Sequence, residues 1–191
     1  MSSIIDGIDY GPLAQLIGTW TGNQGVDIAP DNQANKDRSK FTDEIVFAIA
    51  GAADNAEEQD LVALRYRHLV RRAENGLIFH DQIGHWIYEP ATNSVMHSLT
   101  IPRAVCLLAG GTVEKSGEAT TFRVEASADS KSFGIVQSPF MLEKAETKAF
   151  KMELTVNADE LSYRQVTSLH IYNKDFEHVD ASVLQRTRYD D

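Results

Sequence analysis

The sequence predicts an all-β protein, an antiparallel up-and-down barrel of about ten strands with a short N-terminal helix. Two observations carry the prediction. The first is alternation with period two. Val62, Leu64, Tyr66, His68 and Val70 interleave with Arg65, Arg67 and Arg71; Phe122, Val124 and Ala126 with Arg123 and Glu125; Phe150, Met152, Leu154 and Val156 with Lys151, Glu153 and Thr155. Such strands have one buried and one wet face. The second is regular turn punctuation: ENG before Leu77, PATNS before Val95, EKSGE before Ala119, NADE before Leu161 and NKD before Phe176. Short hairpin links favour a meander over a sandwich, and closing the meander removes its edges. A barrel of this strand number has room for a ligand.

Taken in order, Tyr10 to Ile17 reads as one or two helical turns, with Pro12 near the first position and Gly18 as the stop. Strands follow near 18–27, 40–50, 60–73, 77–89, 94–101, 104–114, 119–128, 147–156, 160–172 and 180–189. Asp31 to Ser39, Gly51 to Asp60 and Ser127 to Pro139 read as loops from their polar, small and Gly/Pro-containing composition. At 191 residues, with 42% hydrophobic residues, a single domain spanning 1–191 is expected to bury a sufficient core without metals or disulfides.

The stretch GTWTGNQGVDIAP, Gly18 to Pro30, could be a phosphate-binding glycine loop or the first barrel strand. A dinucleotide fingerprint needs glycines that open a helix, followed by a further strand and an acidic residue. Nothing after Gly25 supplies these. Thr19, Thr21 and Val26 are strand formers, Trp20 can plug a barrel end, and the glycines mark bends or close packing.

The net charge of −10 argues against a nucleic-acid backbone as partner. No stretch approaches the roughly 20 apolar residues of a membrane-spanning helix, and the start lacks a basic segment leading into an apolar core. A soluble, cytoplasmic protein is expected. The single cysteine, Cys106, lies in the apolar stretch Ala104 to Ala109 and reads as a small buried hydrophobe.

Six histidines are available for chemistry. His178 stands just ahead of the strand predicted at 180–189. It is either an exposed loop histidine beside Glu177 and Asp180 or a side chain reaching over the barrel mouth. His80 shares a strand face with Trp86, and His68 lies on an apolar face; each is a core histidine or a pocket residue. His85, His97 and His170 show no paired spacing, and the tight pairs of a zinc site are missing. The acidic segments Asp54 to Asp60 and Asp175 to Asp180 lack the spacing of a calcium loop and read as solvated charge. No G-x-S-x-G nucleophile motif occurs.

Three stretches resemble the nitrobindin family, haem-binding β-barrels related in shape to lipocalins and fatty-acid-binding proteins. In LIGTWTG, Gly18, Trp20 and Gly22 match the family's G-x-W-x-G-x-G-x-G-x-Y-P opening, with Gly25 and Pro30 fitting after a one-residue shift. FHDQIGHWIYEP matches through His80, Gly84, Trp86 and Pro90, and NKDFEHVDASVLQR through Asn173, His178, Val179 and Ala181. The resemblance implies that His178 is the proximal ligand of a ferric b-type haem, with His80 and Trp20 as further cofactor-contacting candidates. It also implies nitric oxide binding and isomerisation of peroxynitrite to nitrate, with no catalytic side chain beyond the iron ligand. The alternative is a haem-free carrier of a fatty acid or other hydrophobic molecule, its carboxylate held by Arg103 or Arg164.

Overall fold

A computed structural model describes residues 2–187 and contains the closed antiparallel barrel. A small hairpin of β1 (Ile4–Ile5) and β2 (Ile8–Asp9) leads into a 3-10 helix, Gly11–Leu16, with proline in its first turn. The barrel strands are β3 (Gly18–Pro30), β4 (Lys36–Asn55), β5 (Gln59–Arg72), β6 (Ile78–Glu89), β7 (Ser94–Ile101), β8 (Val105–Ser116) and β9 (Ala119–Ser127), then β11 (Ala145–Asn157), β12 (Glu160–Ile171) and β13 (Lys174–Arg186). Each pairs with the next, and β13 returns to β3 in an antiparallel register that sets Asp180 opposite Asp27 and Val179 opposite Ile28. The crossover from β9 to β11 holds β10 (Ile135–Gln137), which pairs with β8, and a one-turn helix α1 (Pro139–Lys144) capped by Ser138.

The structure extends the sequence reading in three places. The segments 31–39 and 51–60 are largely hairpin arms, because β4 runs from Lys36 to Asn55 and pairs out to Gln59. The segment 127–139 contributes β10. The last strand starts at Lys174, so His178 lies within a strand rather than ahead of one, paired with Thr167 of β12. Positions 188 and 189 of the predicted last strand lie outside the described residues. Cys106 is exposed, since it falls on the outward phase of β8 between the buried Val105 and Leu107.

The two ends of the barrel differ. The end beside the 3-10 helix is closed by Trp20, fully buried, whose indole Nε1 donates to the Leu16 carbonyl at 2.7 Å. The Arg186 guanidinium stacks 4.0 Å over the Trp20 ring, donates to the Gln15 and Ile17 carbonyls and pairs with Asp159. This arginine therefore ties β13 to the plug. Further in, Trp86, Phe122, Leu64, Leu154 and Leu161 fill the interior.

Two glycines of the opening stretch admit neighbours that a Cβ would exclude. At Gly25 a Cβ would lie 2.0 Å from the Phe41 ring, so the ring rests directly on the β3 backbone. At Gly22 it would lie 2.5 Å from a carboxylate oxygen of Asp43.

Candidate functional site at the open end of the barrel

At the end opposite Trp20, the strands enclose a cavity of about 250 Å³. His178 and Asp180 come from β13, Asp27 from β3, Ser39 and Phe41 from β4, Val70 and Arg72 from β5, and Phe79 and His80 from β6. Arg103, on the turn between β7 and β8, completes the rim. Period two explains the convergence: His178, Asp180, Ser182 and Leu184 occupy one face of β13, and that face turns inward.

His178 is half-buried, and its Nε2 lies 2.8 Å from Asp27 Oδ1 and 3.6 Å from Asp180 Oδ1. Asp27 is almost fully buried, and its second oxygen accepts from Ser39 Oγ at 3.3 Å. Burial opposes charge on the His178 imidazole, but the hydrogen bond to Asp27 and the fields of Asp180 and Asp27 outweigh it and raise its pKa. Burial pushes the Asp180 carboxyl up to about 6, with His178 pulling the other way.

His80 faces the same cavity in the opposite electrostatic state. Burial, reinforced by His68, lowers its pKa to about 4, so it is neutral at pH 7. Its Nε2 lies 3.2 Å from Gln82 Oε1. Gln82 Nε2 donates to Tyr66 OH at 2.6 Å, and Tyr66 OH lies 2.9 Å from His97 Nε2. His97 is fully buried and its pKa is lowered to about 3 by burial, so Tyr66 can donate to an unprotonated ring nitrogen.

A second polar cluster lies beneath the mouth. Asp43 accepts from Tyr163 OH at 3.0 Å and Ser182 Oγ at 2.9 Å, with His68 Nε2 at 3.3 Å. All four side chains are buried, which makes the barrel interior a layered polar network above an apolar base.

Of the residues singled out in the sequence, His178 and His80 meet in this cavity, joined by His68 and Arg103. Trp20 is at the closed end and does not line the cavity. Arg164 is exposed on the outer face. Sequence reasoning missed Asp27, Asp43, Gln82, Asp180 and the inward role of His97. Alternation was the available signal: His97 lies between the inward Val95 and Leu99, and Asp43 between the inward Phe41 and Ile45.

Comparison with known proteins identifies the family. The model of the THAP4-like, haem-binding β-barrel domain matches residues 9–186. The chain belongs to that family. No curated protein matches it. Among solved structures, the crystal structure of Rv2717c from M. tuberculosis is similar, with a TM-score of 0.70 and 21% identity over 92% of this chain and 95% of that one. At that identity the likeness speaks for the fold. Membership of the haem-binding β-barrel family supports haem as the ligand. No helix among the described residues is long and apolar enough to cross a membrane.

Proposed function

We propose that this chain binds ferric haem b through His178 and reacts with nitrogen oxides, binding nitric oxide and isomerising peroxynitrite to nitrate. The observation that carries the reading is the placement of His178, a half-buried imidazole on the inward face of β13 at the open end of a haem-family barrel.

The residues present suit the group. His178 supplies one imidazole, while Phe41, Val70 and Phe79 supply apolar wall. Arg72 and Arg103 stand at the same mouth, where guanidinium groups can pair with propionate carboxylates. Arg72 is held in place by stacking 4.9 Å over the Phe79 ring. Ligation through His178 Nε2 would replace its hydrogen bond to Asp27, which keeps Ser39 as a partner. Pockets for ligands of drug size span roughly 300–1,000 Å³, so a cavity of about 250 Å³ requires the rim to open. Asp37 and Arg103 on that rim are exposed, and no buried packing has to be broken for them to swing outward.

When bound, ferric haem would supply a Lewis-acidic, redox-active iron to the nitrogen oxide. The chain's part would be to hold the iron on His178, exclude water with the Phe41 and Phe79 rings, and present the neutral imidazole of His80 on the wall. His80 is neutral and tied to Gln82. Rearrangement of peroxynitrite to nitrate needs no net proton, whereas peroxidase-type cleavage of an O–O bond draws on a proton donor. His80, neutral at pH 7, is therefore not a strong acid for that cleavage.

The carrier alternative is disfavoured by the interior itself. Below the mouth, the space an acyl tail would need is taken by Tyr163, His68, Tyr66, Trp86 and Phe122, all buried.

The test is a hemin titration of purified protein followed by visible absorption, with His178→Ala alongside and peroxynitrite decay measured on the loaded protein. A one-to-one Soret transition that is lost or shifted in the variant, with accelerated decay to nitrate, is expected. Identical spectra for the two proteins would remove His178 from the account.

A further inference from the structure

We infer that Asp27, His178 and Asp180 form a binding site for a divalent transition-metal ion of the zinc or iron(II) class in the haem-free protein. The proposal shares His178 with the haem reading but does not depend on it.

The first ground is geometry. One ligand atom from each residue converges, all within 4.8 Å of one another, with His178 Nε2 at 2.8 Å from Asp27 Oδ1 and 3.6 Å from Asp180 Oδ1. An ion bound at about 2.0–2.2 Å in tetrahedral geometry sets its ligand atoms roughly 3.4 Å apart. The two separations from His178 fall on either side of that spacing and the third lies within 4.8 Å, so side-chain rotations would bring all three onto one ion.

The second ground is the backbone register, which is independent of side-chain placement. Asp27 and Asp180 are direct antiparallel partners across the β3–β13 ladder. Like charges directly opposite each other destabilise a sheet, and these two carboxylates line the cavity, Asp27 buried and Asp180 partly buried. A cation between them turns that repulsion into attraction. His178, two residues before Asp180 on the same face, completes a donor set of one imidazole and two carboxylates.

The third ground is support beyond the ligands. Ser39 Oγ donates to Asp27 Oδ2 and leaves Oδ1 toward the cavity, the outer-shell orientation that metal carboxylates commonly have. Three protein ligands with an open side facing His80 and Arg103 match the pattern of sites that keep a position for water or substrate. The mixture of imidazole and carboxylate suits zinc, iron(II) or manganese better than calcium.

The ion and haem would compete for the same nitrogen. At an ion concentration about 100-fold above its Kd, apparent haem affinity should fall roughly 100-fold.

The experiment is calorimetric titration of chelator-treated, haem-free protein with zinc chloride, repeated on Asp180→Asn and His178→Ala, with thermal unfolding to confirm that each variant folds. Saturable one-to-one binding is expected, weakened about 100-fold or more in each variant, since loss even of an outer-shell partner costs 10–100-fold. If Asp180→Asn fails to fold, His178→Ala carries the comparison. Absence of saturable binding, or binding unchanged in the folded variants, would overturn the proposal. Hemin added to the same wild-type preparation is read at the Soret band. Failure of the metal site and failure of the haem reading thus register separately, and a haem titration indifferent to bound zinc would also exclude His178 as a shared ligand.

Discussion

Asp43 is the residue on which the inner polar layer depends, and Asp43→Ala should be among the most damaging single changes outside the apolar base. Its carboxylate is inaccessible to solvent and serves Tyr163 OH at 3.0 Å, Ser182 Oγ at 2.9 Å and His68 Nε2 at 3.3 Å. Removing it strands these buried donors, and each unsatisfied group costs about 1–3 kcal/mol. Some of that is recovered, because Tyr163 OH already lies 3.4 Å from His68 Nε2 and the two can pair. Discounting one donor leaves two, about 2–6 kcal/mol, a span centred on the roughly 3–5 kcal/mol found when one partner of a buried ionic pair is deleted. For a chain of this size about 2–4 °C of Tm accompanies each kcal/mol, so a drop on the order of 10 °C is expected. Urea denaturation gives the free energy and calorimetry the Tm. A loss below about 1 kcal/mol would refute the reasoning, because it would mean that water reaches the layer or that the network carries no net stability.

Trp20→Ala should cost about 3–5 kcal/mol, the range for a buried aromatic, through loss of the Leu16 hydrogen bond and the Arg186 stack. Hemin binding by the folded fraction should not change, as a Soret titration would show. Gly25→Ala should destabilise by about 1–3 kcal/mol, the range for overpacking, because the new methyl meets the Phe41 ring, and it should displace that ring toward the cavity. Burial lowers the pKa of His97 to about 3 and of His80 to about 4. The unfolded chain therefore takes up their protons first, so stability is full above about pH 6.5 and falls as pH drops toward 4, by up to roughly 1.4 kcal/mol per unit for each. Asp180, with its pKa raised to about 6, acts in the opposite sense over part of that window. The contribution of His97 is isolated by comparing denaturation curves of wild type and His97→Phe between pH 7 and 4.5, where the variant should show the shallower decline.

Much of this was legible in the sequence, and the rest was hidden for identifiable reasons. Alternation and turn residues located the ten barrel strands because a closed sheet with one wet face writes period two into its sequence. A short helix at this place followed from Pro12 and Gly18, and its 3-10 form came from the structure. The edges of β4 were not legible, because polar strand ends such as Lys36 to Ser39 and Ala52 to Asn55 carry loop-like composition while their backbones still pair. His178 could be singled out through a motif, but its neighbours could not. Asp27 and Asp180 are 153 positions apart in sequence and meet through the β3–β13 register. Charged residues on an inward face read as surface charge until the barrel closes around them. Gly22 and Gly25 read as bends or close-packing positions, and that one makes room for Asp43 and the other for Phe41 emerged from the fold.

The account's central claim is that His178 is the side chain through which this barrel holds haem iron, and rescue of His178→Gly by imidazole tests it most directly. The variant loses the ring and leaves space for a free one on β13. Hemin-loaded His178→Gly should show a displaced Soret band, and added imidazole should restore the wild-type spectrum saturably. A variant whose spectrum already matches wild type, and which does not respond to imidazole, would place the iron on another residue and contradict the account.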